Sequence, residues 1–358
     1  FFAQFEEAID RSPEQMFRVM KPGGYRNGLY EKLRFMAQVI RDYAETQTDA
    51  SFRAELNARV EHCQEFDEEI DAFVRQSLPE HVYWVEGRKS PGGWNAQRRI
   101  ELASAPLNIA ELLNKLLFSI GKPVILTSAT LAVKGSLGYY AQRVGFTGGD
   151  GLILDSPFDY SKQVRLYLSR KMPLPSEQGY NDAAAAQIRR FLEMTRGSAF
   201  VLFTSYGMLK SCADKLSSFF ATSGLNLLVH GDSLSRSAML REFKQVRDSV
   251  IFGTTSFWTG VDVPGSALEN VIIAKLPFSV PTHPLVAARC DRIRQLGGEP
   301  FRDYSVPDAV LKFRQGVGRL IRSRTDTGII VVLDPRIVSK QYGKAFLNSI
   351  PPCPVEYF

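Results

Sequence analysis

Gln315, Arg319 and Arg322 stand at i, i+4 and i+7 within Gln315-Gly316-Val317-Gly318-Arg319-Leu320-Ile321-Arg322. Val310, Phe313, Val317 and Leu320 repeat at helical spacing through the same segment and predict a helix over about 307–322. On such a helix the three polar side chains share one face while the apolar row buries another. Packing would then hold two guanidiniums on the same side. Paired guanidiniums can grip phosphate oxygens bidentately and oppose charge developing on a transferred phosphoryl group. A lone Arg-x-x-Arg is more simply a solvated basic face; the surrounding Gln-x-x-Gly-Arg-x-x-Arg is what favours chemistry.

A second segment, Gly253-Thr254-Thr255-Ser256-Phe257-Trp258-Thr259-Gly260-Val261-Asp262-Val263-Pro264-Gly265, follows an apolar run with strand character. Hydroxyls and backbone N–H groups at a strand end can hold phosphates of a nucleic-acid backbone without reading bases. Asp262 can accept a ribose hydroxyl, and Gly260 and Gly265 can serve a turn. Trp258 has two readings, a core residue or a lever between a nucleotide and a nucleic acid. Thr127-Ser128-Ala129-Thr130, Phe203-Thr204-Ser205-Tyr206 and His230-Gly231-Asp232-Ser233 also follow apolar runs, and each is weak by itself because Ser or Thr after a strand is usually a helix cap.

These pieces need a scaffold, and the chain supplies an alternating one. Strands are expected at 124–126, 164–168, 199–204, 225–229, 250–253, 271–274 and 328–333, and helices at 109–119, 182–195, 208–221, 236–245, 284–296 and 307–322. Such alternation predicts an α/β domain with a mostly parallel sheet, whose ligands bind at the carboxyl ends of the strands. The first 80 residues differ. Leu29, Leu33, Met36, Ile40 and Tyr43, then Leu56, Val60, Cys63, Phe66, Ile70 and Phe73, fall at helical spacing on either side of a polar link. An all-helical N-terminal element is expected there, with two short strands near 82–85 and 100–103 after it.

The 358 residues are 44% apolar and 23% charged, an ordinary globular balance that excludes collagen-like and disordered classes. No apolar run reaches the ~18 residues that a bilayer crossing needs. Residues 1–120 hold 15 basic and 19 acidic side chains, whereas 121–358 hold 29 and 19, so the latter carry a net +10 suited to a polyanion. Cys63, Cys212, Cys290 and Cys353 include no Cys-x-x-Cys pair, which argues against a zinc site or a disulfide framework and for a reducing cytoplasm. The sequence starts at Phe1 without an initiator Met or a leader, the expected look of a piece of a longer protein.

In their order along the chain, these segments resemble the C-terminal half of a superfamily 2 helicase of the DinG/XPD branch. Ile125-Leu126-Thr127-Ser128-Ala129-Thr130-Leu131 matches motif III, Val201-Leu202-Phe203-Thr204-Ser205-Tyr206 motif IV, the Ser256–Asp262 stretch motif V and Gln315–Arg322 motif VI; Lys275-Leu276-Pro277-Phe278 with Pro281 and Pro284 also fits. The resemblance covers about 81–350. It implies a RecA-like fold, with 1–80 as an arch-like insertion, 81–135 as a remnant of the first motor domain and 136–358 as the second. It implies Arg319, Arg322 and Gln315 as catalytic groups, Gly260, Asp262, Ser128 and Thr130 in ATP binding and coupling, and Thr204, Ser205, Tyr206, Thr254, Thr255, Ser256 and Trp258 at the nucleic acid.

The departures are equally informative. Gly23 to Gly28 has the glycine spacing of a P-loop, but Leu29-Tyr30 stand where Lys and the Mg²⁺-binding hydroxyl are required. Asp67-Glu68-Glu69 lies in an amphipathic helix, not behind the apolar strand of a Walker B box. Relatives with an iron–sulfur cluster carry its four Cys between those two boxes, and the four here match none of them, so no cluster is assigned. The expectation is a fragment of an ATP-dependent DNA helicase with 5′→3′ polarity, acting as a monomer on single-stranded DNA, junctions and forks. ATP and Mg²⁺ would be bound mainly by an absent first motor domain. The alternatives are a non-catalytic nucleic-acid-binding module and an RNA-directed helicase of the same superfamily.

Overall fold

The computed structural model describes residues 1–12, 14–89, 98–128, 130–133, 135–258 and 267–358. In chain order the principal elements are β1 (Met16–Val19), α1 (Tyr30–Glu45), α2 (Ala50–Arg75), β2 (His81–Lys89), β3 (Arg98–Pro106), β4 (Val164–Leu168), α3 (Tyr180–Thr195), β5 (Ala199–Leu202), α4 (Tyr206–Lys215), β6 (Asn226–Val229), α5 (Arg236–Gln245), β7 (Ser249–Gly253), β8 (Asn270–Ile273), α6 (Pro284–Gln295), α7 (Val306–Val317), β9 (Gly328–Val332) and β10 (Val355–Tyr357). They form two compact units, Phe1–Glu111 with Val280–Pro300, and Leu112–Ser279 with Phe301–Phe358.

In the first unit, Asp49 ends the polar link by accepting from the backbone N–H of Ser51 (2.8 Å) and Phe52 (3.2 Å), which starts α2. Ala37 of α1 and Val60 and Cys63 of α2 form the seam of the helical pair. The stretch before Tyr30 is not purely helical, as expected, because β1 pairs antiparallel with β2, Phe17 opposite Val85. β2 explains why that strand is needed. Its residues alternate between two apolar faces. Tyr83 and Val85 join Phe5, Ile9 and Phe73, while Val82 and Trp84 pack with Ala288 of α6. Helix α6, expected among the elements of the α/β domain, thus belongs to this unit, and Arg18 of β1 pairs with its Asp291 at 2.9 Å.

The second unit is built on a seven-stranded sheet of order β10-β4-β9-β8-β5-β7-β6, parallel at every pairing. Its central strands read as continuous apolar runs because both faces are covered. Phe200, Leu202, Ile251, Val271 and Ile273 face Val310, Phe313 and Val317 of α7 and Met239 and Phe243 of α5. Ala199, Val201, Val250, Phe252 and Ile272 face Ile188, Phe191 and Leu192 of α3 and Met208, Leu209 and Cys212 of α4.

Two expectations fail here. The apolar run 124–126 forms no strand, and Ile125 is 89% exposed; a strand needs a hydrogen-bonded neighbour, and none of the described strands lies beside it. The helix expected to reach Arg322 stops at Val317 with Gly318 as its C-cap. Asp326 takes over the backbone beyond, accepting from the N–H groups of Arg322 (2.8 Å) and Ser323 (2.9 Å) and from the Ser323 hydroxyl (2.6 Å).

Candidate functional site

Because β5, β6, β7, β8 and β9 run parallel, the loops after Leu202, Val229, Gly253, Ile273 and Val332 leave the sheet on one edge. Thr204, Ser205 and Tyr206 lie on the first of these, His230 on the second and Thr254 to Trp258 on the third.

Trp258 is 3% exposed, and its indole N–H donates to the Phe203 carbonyl at 3.0 Å. The sequence placed it at the nucleic acid; the structure places its ring in the core, where it has no free face for a base. Arg319 is 4% exposed. Its Nε donates to the Gln315 carbonyl at 3.0 Å, and its two terminal nitrogens donate to the carbonyls of Phe257 and Trp258. Burial, with the charge of Arg236 adding to it, pulls this guanidinium down to about 10, so it stays charged at neutral pH. The expected shared face of Gln315, Arg319 and Arg322 is absent, because the helix ends before either arginine. Arg322 remains half-buried, its main chain held by Asp326. Burial lowers its pKa, and the Asp326 charge works against that shift. Asp326 itself sits below its usual range: burial would raise it, but the hydrogen bonds from Ser323 and Arg322 outweigh burial.

Thr254 is 3% exposed, so its hydroxyl is turned inward rather than toward a phosphate; it pairs with Nδ1 of His230 at 2.7 Å. The same imidazole contacts the Tyr206 hydroxyl at 3.2 Å and the Ser256 hydroxyl at 3.5 Å, and lies edge-on to Phe257. Desolvation, then the nearby Arg236 charge, lowers the His230 pKa. Thr255 is exposed, Thr204 and Ser256 are half-buried, and the Ser205 side chain caps α4 by accepting from Met208 N–H at 3.3 Å. The Tyr206 ring is 55% exposed yet held by His230.

Gln315 reaches the motif III segment, its amide donating to the Thr130 hydroxyl at 3.3 Å, and Ser128 lies 3.2 Å from that same hydroxyl. These three residues line a cavity of about 460 Å³ with Tyr140 and Leu311. Gly260 and Asp262 fall outside the described residues. Sequence reasoning singled out His230 only within a weak strand-end segment, without a role, and missed Asp326. The available signals were the place of His230 directly after a strand and the local Ser323-x-x-Asp326 turn pattern.

Comparison with known proteins agrees with this geometry. Residues 188–353 match the helicase C-terminal domain family. The chain is 37% identical over 299 residues to the ATP-dependent DNA helicase YoaA of Escherichia coli K12, covering 84% of this chain and 45% of that protein. It is 39% identical over 255 residues to the ATP-dependent DNA helicase DinG of Photobacterium profundum, covering 69% and 37%. It thus spans less than half the length of these relatives. The solved structure of S. tokodaii Xpd4 superposes with a TM-score of 0.60 at 15% identity, over 99% of this chain and 65% of that one, a likeness of fold alone. The chain belongs to the DinG/XPD-like superfamily 2 helicases and corresponds to their C-terminal portion. Its parallel sheet flanked by helices is the RecA-like α/β fold of that group.

Proposed function

We propose that this chain is the second motor half of an ATP-dependent DNA helicase that moves 5′→3′ along single-stranded DNA and opens duplexes, junctions or forks, in the cytoplasm and as a monomer. Residues 136–279 and 301–358 would be the motor domain itself, 81–135 the end of the first motor domain, and 1–80 an arch-like insertion that includes β1. The carrying observation is one hydrogen-bonded path across three loops: Arg319 donates to the carbonyls of Phe257 and Trp258, and Trp258 donates to that of Phe203. A displacement of the arginine-bearing segment would be passed to the loops that hold the strand, which is what coupling hydrolysis to movement requires.

In this reading Arg322 opposes the charge developing on the γ-phosphoryl group. Arg319 is the positioning residue that ties it to the DNA-side loop, and Gln315 senses the motif III segment through Thr130. Ser128 lies in that segment, while Gly260 and Asp262 keep the coupling role that the family pattern implies. Thr204, Ser205, Tyr206, Thr255 and Ser256 would follow the backbone of the strand, with Thr254 and Trp258 acting behind them. The groups that hold Mg²⁺ and the β- and γ-phosphates are ones this sequence lacks, since Leu29-Tyr30 replace the Lys-Ser/Thr of a P-loop.

The test is ATP hydrolysis by the chain alone and by the longer protein that joins it to a P-loop half. The chain alone is expected to be inactive. The longer protein is expected to hydrolyse ATP faster when single-stranded DNA is added, and more so than with RNA of the same length. Hydrolysis by the isolated chain that scales with its concentration and survives Arg322→Ala would overturn the reading.

A further inference from the structure

Lys275 follows β8 on the same sheet edge as Thr204 and Thr254, but it is not part of the network around His230. Its ammonium is half-buried, and no hydrogen bond or ion pair engages it among the described residues. The Tyr180 ring lies 5.3 Å away, and the obvious counter-ion is already committed. Asp334, fully buried, accepts from the backbone N–H of Leu276 at 3.0 Å and from Arg336 at 2.6 Å and 2.9 Å. Desolvation accordingly lowers the Lys275 pKa, with the Asp334 charge only partly offsetting it. A half-buried ammonium that has an aromatic face but no hydrogen bond or ion pair is incompletely compensated, and an anion beside it would make up the difference.

The cavity in front of Lys275 has a volume of about 370 Å³ and is lined also by Asn181, Ser211 and Lys215. Ser211 and Lys215 line in turn a second cavity, of about 590 Å³, that begins at Tyr206 and includes Lys210. The two cavities share Ser211 and Lys215 and so adjoin along α4 between the Tyr206 ring and Lys275. Three carboxylates also line these cavities: Asp182 is paired with Lys215, Glu177 accepts from the Leu174 N–H at 2.7 Å, and Asp214 is exposed on the solvent side of α4. Among the described residues this leaves Lys210 and Lys275 as the lining cations outside an ion pair.

The geometry points to Lys275 as a backbone-phosphate contact for single-stranded DNA in the adjoining cavities along α4, with Tyr206 as the stacking platform at the other end. A fixed, exposed aromatic ring and a cation further along are the two parts that sequence-tolerant strand binding needs. This inference rests on the DNA-translocating reading above and gives a role to Lys275, whose segment matches the family pattern but lies outside motifs III to VI. Nucleotide phosphate carries the same chemistry, so the test must separate the two sources.

Binding of a fluorescent oligothymidylate to this chain, followed by anisotropy across a salt series, does so. Wild-type binding tests the DNA reading itself; no binding at low salt removes that reading and this inference with it. Given wild-type binding, Lys275→Gln is expected to weaken affinity about five- to tenfold and to flatten the log–log salt slope by about 0.7, the value for one phosphate on a single strand. Lys275→Arg should restore the slope, and Lys344→Gln, an exposed lysine outside these cavities, should leave it unchanged. The melting temperature of Lys275→Gln should stay close to wild type, because the relief of desolvation offsets the lost contact with the Tyr180 ring. An unchanged salt slope in Lys275→Gln, a loss confined to the binding of a fluorescent ATP analogue, or a melting temperature lowered by several degrees would each overturn the assignment.

Discussion

A Cβ on Gly316 would lie 2.9 Å from Cε3 of Trp258 and 3.2 Å from Cδ1 of Leu202. Trp258 is 3% exposed and Leu202 fully buried, so neither can move aside cheaply. Helix propensity alone favours Gly316→Ala by about 1 kcal/mol. Overpacking should win, with a net loss of about 1–3 kcal/mol. Urea unfolding of the variant measures this; a midpoint at or above wild type would show that the indole is not a fixed wall.

The two arginines are expected to behave differently. Arg319→Lys keeps the charge but cannot serve the carbonyls of Gln315, Phe257 and Trp258 together, and the buried acceptors left unpaired should cost about 2–4 kcal/mol. Arg322→Ala, at a half-buried position, should cost under about 1 kcal/mol. Thermal melts of both variants decide it. Equal losses would place the two side chains in equivalent environments, against the structure.

His230 gives a pH signature. Its folded-state pKa lies below the ordinary value of 6.5, because of desolvation and then Arg236, with Tyr206, Thr254, Ser256 and Phe257 as its other neighbours. Below 6.5 the unfolded chain takes up the proton first. The His230 contribution is thus complete above that pH and is lost as pH falls through the folded value. His230→Gln should flatten the decline of the melting temperature between about pH 7 and pH 5. A wild-type and variant decline of equal steepness would mean that the imidazole titrates freely.

Much of the scaffold was legible because strand runs such as Ala199–Leu202 and Asn270–Ile273, buried on both faces, leave an unmistakable apolar pattern, and loops at parallel strand ends must share an edge. What was not legible depended on partners distant in sequence. The run 124–126 is as apolar as a strand but has no neighbour to pair with. The periodicity through Leu320 continued past the true helix end because Leu320 is buried in the core even though it is not helical. Asp326 and the Gly318 cap, rather than apolar spacing, decide where the helix stops. Trp258 favours the core by residue type but is drawn to the nucleic acid by the motif V resemblance, and Gly316 packed against its ring decides for the core. β1 was hidden because Met16–Val19 acquires strand character only by lying beside β2.

The central claim is that Arg322 acts on the transferred phosphoryl group of ATP held by another part of the longer protein. Steady-state ATP hydrolysis by that protein, saturated with single-stranded DNA, tests it most directly. Arg322→Ala is expected to lower kcat by about 10³-fold or more, the range for an arginine that stabilises transferred phosphoryl charge, while KM for ATP changes only a few-fold and the melting temperature stays near wild type. Turnover within a few-fold of wild type would contradict the claim and leave Arg322 a structural residue.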